Sequence, residues 1–317
     1  MRLMLLDTAS LYFRAFFGLP DSLRSPDGRP VNAVRGLLDM IAFLITEHRP
    51  DRLVACWDED WRPAFRVDAI GSYKEHRVAQ RRDDGPDVEE VPGDLVPQVP
   101  VIVEVLAALG IARVGAPGFE ADDVIGTLVA RELSGTPAPP SGTGPQVAVV
   151  TGDRDLFQLV DDTAGVAILY PARGVRDPDL VDQARLAEKY GVPTGTAYAE
   201  MAVLRGDPSD GLPGVRGIGE KTAAKLLATF GSLDGVLEAA ATGAKGVTPT
   251  QRTKLAEAAD YLAVAPAVVR VAADAPVGTF DDTLPRAPHD PAALDALAER
   301  WGIRSSVDRV LRSLPDR

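Results

Sequence analysis

The sequence predicts an α/β fold with a central, mostly parallel sheet, followed by a smaller helical domain. Short apolar runs at residues 3–6, 53–57 and 147–150 alternate with segments of helical periodicity in the first 190 residues. Apolar runs of this length are typical of buried parallel strands, and the helical segments between them would form the crossover connections. After about residue 191 the pattern changes to short segments rich in alanine and leucine, which predicts a separate group of helices.

The periodicity also predicts individual helices and the division of the chain. Asn32–His48 and residues 97–109 are the strongest helix candidates in the first part, and each leads into a strand. The helices expected after them cover residues 196–204, 220–229, 233–241, 250–261 and 291–301. The expected domains are an α/β domain at 1–190, a helical domain at 191–290 and a helical C-terminal extension at 291–317.

Composition limits the classes of protein and of site. With 317 residues and 45% hydrophobic content, the chain can build a substantial core. No apolar run approaches the roughly 18 residues of a membrane span, and the amino terminus lacks a signal-peptide pattern. We therefore expect a cytoplasmic, nucleoid-associated protein without a membrane partner. The single cysteine, Cys56, excludes an internal disulfide and a thiolate metal cage, and its place in an apolar run predicts a buried structural residue.

Carboxylates follow the predicted strands or lie in the turns near them. Asp7 and Asp58 follow two of the apolar runs, and Asp153 and Asp155 follow a third. Because the carboxyl ends of parallel strands meet at one edge of a sheet, these side chains should lie close together. Oxygen donors in a chain with only three histidines favour Mg²⁺ or Mn²⁺ over Zn²⁺. The candidate metal ligands are Asp7, Asp58, Glu120, Asp122, Asp123, Asp153, Asp155, Asp207 and Asp210.

Each acidic group also has an ordinary structural interpretation. Glu120, Asp122 and Asp123 lie where a helix is expected to begin, and acids there cap a helix and complement its dipole. Residues 151–155 could likewise form a turn with an N-cap, and a single aspartate at a strand end is commonly not a ligand. At helical spacing Glu120 and Asp123 share one face, and crowded acids repel one another unless a cation or exposure relieves them. The joint occurrence of all these acids favours the metal site.

The charge distribution predicts a local contact with anions on a protein that is acidic as a whole. The net charge is −12, but residues 62–82 contain six basic and two acidic residues. The following stretch, 83–94, contains six acidic residues and no basic one, together with glycines and prolines. This composition predicts an exposed, mobile segment, and solvated charges on an ordinary surface loop are an equally good interpretation.

Residues 206–223 contain a helix-hairpin-helix signature. Gly217 and Gly219 allow close approach of the backbone, and the helix that begins after them can hold a phosphate with its first amides. The segment is not a dinucleotide fingerprint, because no strand precedes it and the third glycine is absent at the required spacing. Lys221 and Lys225 are candidate phosphate contacts, although exposed helical lysines commonly have no such role. Such hairpins bind the duplex backbone without reading its sequence.

Together the motifs resemble those of the 5′-nuclease family, which comprises flap endonucleases and the amino-terminal 5′-to-3′ exonuclease domain of bacterial DNA polymerase I. The resemblance covers roughly residues 2–290, and a stand-alone enzyme without a polymerase domain is expected. The motifs that carry it are Leu-Leu-Asp at 5–7 with Tyr-Phe-Arg-Ala-Phe at 12–16, Trp-Asp at 57–58 with Phe-Arg at 65–66, Tyr-Lys-Glu-His-Arg at 73–77, Glu-Ala-Asp-Asp at 120–123, Thr-Gly-Asp-Arg-Asp-Leu at 151–156, and Gly-Asp at 206–207 through Lys-Thr-Ala at 221–223.

The resemblance implies a PIN-like catalytic domain with an arch at about residues 72–100, and a helix-three-turn-helix motif in the helical domain. It also implies that the nine carboxylates bind two or three divalent ions, directly or through water, for hydrolysis of phosphodiester bonds to a 5′-phosphate and a 3′-hydroxyl. Lys74 and Arg77 match basic residues that approach the scissile phosphate and are the expected catalytic residues. Arg14 and Arg66 would contact phosphate, and Tyr73 would either stack on an unpaired base or pack in the core.

The sequence departs from the family pattern in the arch. The acidic stretch 83–94 is unlike a basic surface that threads a single-stranded 5′ end, so we expect a largely disordered segment that becomes ordered on substrate. Thr8 replaces a glycine that is common in the family, and Gly211 replaces an asparagine, but neither change removes a proposed ligand. The hairpin in this family often holds a monovalent cation through backbone carbonyls, so K⁺ is also an expected ligand.

The expected function is that of a monomeric, metal-dependent 5′-to-3′ exonuclease and 5′-flap endonuclease in DNA replication and repair. Its substrates would be DNA with 5′ flaps, nicks, gaps or 5′ overhangs and, by analogy with primer removal, RNA–DNA hybrid ends. The main alternative is a nuclease-inactive, structure-specific DNA-binding protein, which would keep the hairpin and lose carboxylates. A PIN-domain ribonuclease would not need the hairpin, and a Mg²⁺-dependent phosphatase is disfavoured because no Asp-x-Asp motif follows the first strand.

Overall fold

The first strand of the chain lies inside a six-stranded sheet that is covered on both faces. The residues that the computed structural model describes are 2–82, 85, 87–135 and 144–316. All five residues of Leu3–Asp7 are buried, and successive side chains point to opposite faces of the sheet. Leu3 and Leu5 pack in one hydrophobic core, whereas Met4 and Leu6 pack in the other. The two cores explain why this strand is an uninterrupted apolar run.

The described residues form eight strands. In chain order they are β1 (Leu3–Asp7), β2 (Arg52–Cys56), β3 (Val78–Gln80), β4 (Val88–Glu89), β5 (Ala112–Val114), β6 (Val147–Val150), β7 (Val166–Tyr170) and β8 (Asp179–Val181). The order across the main sheet is β5-β2-β1-β6-β7-β8, and β3 pairs with β4 in a separate hairpin. Within the main sheet, only the pairing of β8 with β7 is antiparallel. The structure thus has the mostly parallel sheet that the apolar runs predict.

Six helices accompany this sheet in the first part of the chain. They are α1 (Thr8–Gly18), α2 (Asn32–His48), α3 (Ala64–Ala69), α4 (Gln98–Leu109), α5 (Ala121–Gly135) and α6 (Gln183–Tyr190). The predicted helix Asn32–His48 is confirmed, and the helix predicted at 97–109 begins one residue later because Pro97 is its N-cap. Cys56 is fully buried in β2, as its apolar neighbours predict.

Five helices form the second part. They are α7 (Gly195–Arg205), α8 (Glu220–Phe230), α9 (Leu233–Thr242), α10 (Pro249–Glu257) and α11 (Ala259–Val269). The first three match the predicted segments to within one residue at each end. The single helix predicted at 250–261 is wrong, because the chain turns at Ala258, where φ is −95° and ψ is 10°. A capping box between Thr248 and Gln251 fixes the start of α10.

The C-terminal residues return to the first part of the chain. Two helices, α12 (Pro291–Arg300) and α13 (Arg304–Ser313), pack on α4 and α2 respectively. Trp301 is 5% exposed in the core on that side of the sheet, and the guanidinium of Arg29 lies 4.0 Å from its ring centroid. Within the part of the chain that the structure describes, no helix has the length and apolar character needed to cross a membrane.

The acidic stretch after residue 82 has a different structure from the predicted one. Residues 83, 84 and 86 lie outside the described residues, but Val88–Glu89 pairs with Val78–Gln80 as a short antiparallel hairpin. Asp87 accepts a 2.7 Å hydrogen bond from the buried guanidinium of Arg62. The prediction of a largely disordered segment is therefore wrong for residues 87–94. A buried cation elsewhere in the chain holds the segment in place, which composition alone does not reveal.

The packing of the C-terminal residues leads to a prediction about stability. Trp301→Ala should lower the free energy of unfolding by about 3 to 5 kcal/mol, because it removes a buried indole from the core between α2, α4 and α13. Urea unfolding followed by far-UV circular dichroism measures this change. Phe17→Ala is the matched control, since that aromatic ring is 72% exposed and its removal should cost less than 1 kcal/mol, as is typical of surface changes. Equal losses in the two variants would contradict the structural role of Trp301.

Candidate metal centre

A cleft of about 380 Å³ opens at the carboxyl edge of the parallel sheet. Carboxylates from both parts of the chain line it, since β1, β2 and β6 end there and the turn that follows α7 reaches the same place. The acidic residues that line the cleft are Asp7, Asp58, Glu89, Glu120, Asp122, Asp153, Asp155 and Asp207. The structure therefore brings together seven of the nine predicted ligands, and adds Glu89.

Hydrogen bonds from the protein fix individual carboxylates. Asp7 is the N-cap of α1, where its Oδ1 accepts a 3.1 Å bond from the Ser10 amide. Its Oδ2 accepts a 2.7 Å bond from the Thr151 hydroxyl. Asp58 accepts a 2.9 Å bond from the amide of Ala121 at the start of α5. One oxygen of Asp58 and the remaining lone pairs of Asp7 are thus available to a ligand in the cleft.

The turn after β6 orders the next pair of acids. The Asp153 amide donates a 2.8 Å bond to the Thr151 hydroxyl, and the Asp155 amide donates a 2.9 Å bond to Asp153 Oδ1. Asp207 accepts a 2.8 Å bond from the Ser209 amide in the short 3₁₀ turn Pro208–Asp210. In each of these tight turns a backbone amide donates to a carboxylate of the same turn, and these bonds hold the acids at the edge of the cleft.

Burial raises the pKa values of the carboxyls in one half of the cleft. Loss of water raises the pKa of Asp7 to about 7; the Thr151 hydrogen bond opposes this shift and the charges of Asp58 and Asp153 add to it. Burial likewise raises the pKa of Asp122 well above its usual range, and repulsion by Asp153 and Asp7 adds to the shift. These acids are costly to ionise together unless a cation neutralises them.

Burial also raises the pKa of a carboxyl in the other half of the cleft, around Asp155. Burial raises the pKa of Asp155 well above its usual range, with further contributions from Asp153, Asp210 and Asp207. Repulsion by Asp153 adds to the raised pKa values of both Asp122 and Asp155. The acids can therefore be described as two groups, one with Asp7 and Asp122 and one with Asp155 and Asp207, which share the influence of Asp153.

Lys74 and Glu120 form an ion pair at the wall of the cleft. Lys74 Nζ lies 2.9 Å from Glu120 Oε1, and the Tyr73 hydroxyl donates to Glu120 at 3.0 Å. Burial opposes the charge on Lys74, but Glu120 and other nearby acids raise its pKa well above the usual range. Burial raises the pKa of Glu120 to about 7, against the attraction of Lys74 and Arg66. The ammonium of Lys74 thus remains charged in the lining of the cleft.

The donor atoms in the cleft fit hard divalent cations. Among the residues that the structure describes, no group of three or more Asp, Glu, His or Cys side chains could hold a metal ion alone. Mg²⁺, however, keeps several waters and commonly binds through only one or two carboxylates, and the cleft has room for such waters. Its lining offers carboxylates and the hydroxyls of Ser10 and Ser209, without histidine or cysteine. This set suits hydrated Mg²⁺ or Mn²⁺ better than a closed cage of protein ligands.

Two predicted site residues instead bind each other in the core. Asp123 is fully buried, and both of its oxygens accept 2.7 Å bonds from the guanidinium of Arg66, which is 2% exposed. Arg66 also donates to the Val268 carbonyl, and Asp123 accepts from the Ala272 amide. Asp123 and Arg66 therefore lie in the core and not in the lining of the cleft, because this pair joins α3 and α5 to the end of α11. Their roles as metal ligand and phosphate contact stay predictions that this placement does not support.

The remaining predicted residues lie in different settings. Tyr73 is 3% exposed and bonds to Glu120, so it packs in the core and does not stack on a base. Arg77 lines the cleft and lies 3.3 Å from Asp210, which stands beside the cleft. Arg14 donates to the Ala172 carbonyl at the surface and does not line the cleft. The roles of Arg77, Asp210 and Arg14 in catalysis or binding stay predictions.

Several residues of the cleft have no counterpart in the sequence prediction. Phe13, Trp61 and Arg154 line it, and the hydroxyl of Thr151 links Asp7 to the backbone of Asp153. Phe13 lies one helical turn after Ala9 and Ser10 on α1, and all three residues line the cleft. Trp61 has no comparable signal, because its position depends on a loop.

The helix-hairpin-helix segment exposes backbone amides that an anion could contact. Gly217 has φ +83° and open space at its Cβ position, and Gly219 is the N-cap of α8 without a side-chain cap. Lys221 and Lys225 are exposed on the first two turns of that helix. The first amides of α8 and these two ammonium groups are therefore accessible to an anion.

Comparison with known proteins gives the family. The family described as "5'-3' exonuclease, N-terminal resolvase-like domain" matches residues 2–191, and "5'-3' exonuclease, C-terminal SAM fold" matches residues 194–292. The chain belongs to the 5′-3′ exonuclease family. It is 63% identical over 311 residues to the 5′-3′ exonuclease of Streptomyces coelicolor, an alignment that covers 98% of this chain and 99% of that relative.

Further family members and solved structures agree with this result. A 5′-3′ exonuclease of Mycobacterium tuberculosis is 54% identical over 323 residues, covering 98% of this chain and 97% of the relative. The T5 D15 protein co-crystallised with metal ions has the same fold, with a TM-score of 0.63 at 16% identity over 99% of both chains. The catalytic core of Rad2 with a DNA substrate gives 0.62 at 20% identity, covering 99% of this chain and 93% of that one. The predicted family, fold class and 5′-nuclease enzyme class are confirmed.

The raised pKa values predict how stability depends on pH. A carboxyl whose pKa is raised on folding stabilises the protein in its protonated form, and that contribution is lost as pH rises from about 4 through the folded value near 7. Without divalent ions, the melting temperature should therefore fall between pH 5 and pH 8. Mg²⁺ or Mn²⁺ should raise it more at pH 8, because the ions bind the ionised acids. Differential scanning fluorimetry with and without EDTA measures both effects.

A variant in which one cleft carboxyl becomes an amide tests whether this pH dependence of the melting temperature comes from the cleft. Asp122→Asn should melt at a higher temperature than wild type in EDTA at pH 8 and gain less from the ions, because it removes one of the repelling charges. Asp177→Asn is the control, since that exposed acid pairs with exposed Arg173 and does not line the cleft. The lowered pKa of half-buried His48 acts in the opposite direction in every variant, so the comparison cancels it. A melting temperature in EDTA that is equal for wild type and Asp122→Asn would contradict the argument.

Proposed function

We propose that this enzyme is a divalent-metal-dependent 5′-to-3′ exonuclease and 5′-flap endonuclease that acts on DNA in replication and repair. The observation that carries the proposal is the cleft in which two groups of acids share Asp153. A phosphodiester is an anion, and such a cleft would repel it without cations between the acids and the substrate. The need for divalent ions is therefore a consequence of the charge of the site itself.

The acids of the cleft would hold the ions in two adjoining groups. Asp7, Asp122 and Asp153 would form one group and Asp155 and Asp207, together with Asp153, the other, and most contacts would pass through water. Asp58, Glu120 and Asp210 would orient those waters. Mg²⁺ or Mn²⁺ bound there would supply an activated water and neutralise charge at the scissile phosphate.

Basic residues at the cleft would bind the phosphate group itself. Lys74 and Arg77 line the cleft, and their charges can stabilise the negative charge that develops on the phosphate oxygens. If Lys74 left Glu120 for the phosphate, its ammonium would pass from one anion to another and would not stand unpaired. Arg14 would contact phosphate outside the cleft, and the ring of Phe13, which lines the cleft, would contact the terminal base.

The helical part of the chain would hold the duplex. Gly217, Gly219 and the first amides of α8 would approach the phosphate backbone, and Lys221 and Lys225 would add two charges. These contacts do not involve base edges, so binding would depend on the structure of the DNA and not on its sequence. A K⁺ ion held by carbonyls of the hairpin would strengthen the same contact.

The substrates that fit this arrangement have a duplex next to a 5′ end. They are DNA flaps, nicks, gaps and 5′ overhangs, with RNA–DNA hybrid ends as a further class, and the protein would act as a monomer. A nuclease-inactive DNA-binding protein would not need the acids that line the cleft, and their burial would only reduce its stability.

Metal-dependent cleavage is the first test. Purified protein should release short 5′ fragments from a 5′-labelled flap duplex with Mg²⁺ or Mn²⁺, but not with EDTA. Asp153→Asn should lower the single-turnover rate by roughly two to three orders of magnitude, because Asp153 is shared by both groups of acids. Its affinity for the flap in EDTA should stay near that of wild type. Asp177→Asn is the control and should cut normally. Tight binding by wild type without cleavage would favour the DNA-binding alternative.

Binding to the duplex is a separate test. Lys221→Ala should weaken binding of a nicked duplex in EDTA and reduce the slope of log Kd against log salt concentration by about 1, because one phosphate contact is lost. The single-turnover rate at saturating enzyme should change little. Arg312→Ala removes the same charge from α13 and should leave the slope unchanged. A lower rate with an unchanged salt slope would place Lys221 in the chemistry instead of in duplex binding.

A further inference from the structure

One buried side chain joins the acidic hairpin to the segment that carries Lys74. Arg62 is 7% exposed, and each of the three nitrogens of its guanidinium donates a hydrogen bond to one of these two segments. Its Nη1 donates to Asp87 Oδ2 at 2.7 Å, its Nε to the Tyr73 carbonyl at 2.6 Å, and its Nη2 to the Gly71 carbonyl at 3.0 Å. A guanidinium presents its donors in a fixed plane, so the three bonds fix the hairpin and the segment relative to each other.

Trp61, the residue before Arg62, makes one contact with the hairpin and one with Lys74. The Trp61 indole donates a 2.7 Å bond to the Asp87 carbonyl, and the Trp61 carbonyl lies 3.5 Å from Lys74 Nζ. Trp61 also lines the cleft. Residues 61 and 62 therefore contact both the hairpin and the residues that approach the metal centre.

Lys74 has a backbone conformation that other residues must hold. Its φ is +47° and its ψ is 20°, a left-handed conformation that is uncommon for residues other than glycine. On the side opposite Arg62, the Lys74 amide donates a 3.0 Å bond to the Asp210 carbonyl. Gly211 packs so closely there that a Cβ would lie 2.0 Å from the Ser72 carbonyl oxygen. Residues 72–74 are thus held between Arg62 and the turn that carries Asp207.

We propose that Arg62 is a positioning residue for the cleavage reaction, with Asp87 as its partner on the hairpin. By fixing the carbonyls of Gly71 and Tyr73, Arg62 holds Lys74 in the left-handed conformation that directs its ammonium to Glu120 and the cleft. The inference rests on the proposed nuclease function and adds a residue to that site. It also gives the acidic hairpin a role, since Asp87 neutralises the buried guanidinium that does the positioning.

A double-mutant cycle with Lys74 tests whether Arg62 acts through that residue. Single-turnover cleavage of the 5′ flap in Mn²⁺ is measured for wild type, Arg62→Lys, Asp87→Ala, Lys74→Ala and the two double variants with Lys74→Ala. Arg62→Lys keeps a positive charge but cannot reach three acceptors in one plane, and should lower the rate by roughly 10- to 100-fold. Asp87→Ala should also lower the cleavage rate, although Arg62 itself is unchanged in that variant. In the Lys74→Ala background, both changes should have almost no further effect.

Two controls separate positioning from general damage. Arg81→Ala removes an exposed arginine of the same region that pairs only with exposed Glu75 among the described residues, and should cut at the wild-type rate. Flap affinity in EDTA should stay within about twofold of wild type for Asp87→Ala, because neither Arg62 nor Asp87 is proposed to touch DNA. Since Asp87 is partly exposed, this variant should fold even where a change at Arg62 does not.

The outcomes distinguish the inference from the function on which it rests. Wild-type protein that does not cut would refute the proposed function. Wild-type protein that cuts, with an Asp87→Ala variant of equal rate, would overturn the role of the Arg62–Asp87 pair. Losses that multiply with that of Lys74→Ala would also overturn it, because they would show that Arg62 acts independently of Lys74.

Discussion

The structure depends on the burial of like charges at one edge of a parallel sheet. Asp7 is the last residue of strand β1, and Asp122 and Asp155 belong to other elements, so water is lost from carboxyls that also repel one another. Each of these effects raises the free energy of the folded state at neutral pH. A fold would not keep this arrangement for stability alone, so the cost is explained by a function that requires the acids to be close together.

Fixed cations reduce this cost on three sides of the cleft. Lys74 pairs with Glu120, Arg77 lies beside Asp210, and Arg205 lies 3.4 Å from Asp207. Among the described residues, Asp7, Asp122 and Asp153 form no salt bridge, and the charge of Lys74 only partly offsets the raised pKa of Asp122. These three are therefore among the least neutralised acids of the cleft. The same charges that destabilise the protein without metal would provide the affinity for metal.

The sequence predicted the edge of the sheet well, because parallel strands and their carboxyl ends follow from local apolar patterns. It also predicted that Glu120 and Asp123 share a face, and Arg66 does contact both. The sequence could not show whether that face of the helix points into the core or into the cleft. Arg66 lies more than fifty residues from either acid, and only the folded chain shows that it turns Asp123 into the core. Asp122, one position away on the helix, consequently faces the cleft.

The same limit applies to the acidic hairpin, and it changes how the net charge of −12 should be interpreted. Composition treats every acid as a solvated charge that would repel DNA. In the structure Asp87 neutralises buried Arg62, and Glu89 lines the metal cleft, where burial raises its pKa. Acids that bind cations or buried arginines do not present free negative charge to a phosphate backbone. A protein can therefore be strongly acidic overall and still bind a nucleic acid, provided that exposed lysines such as Lys221 and Lys225 lie on a separate surface.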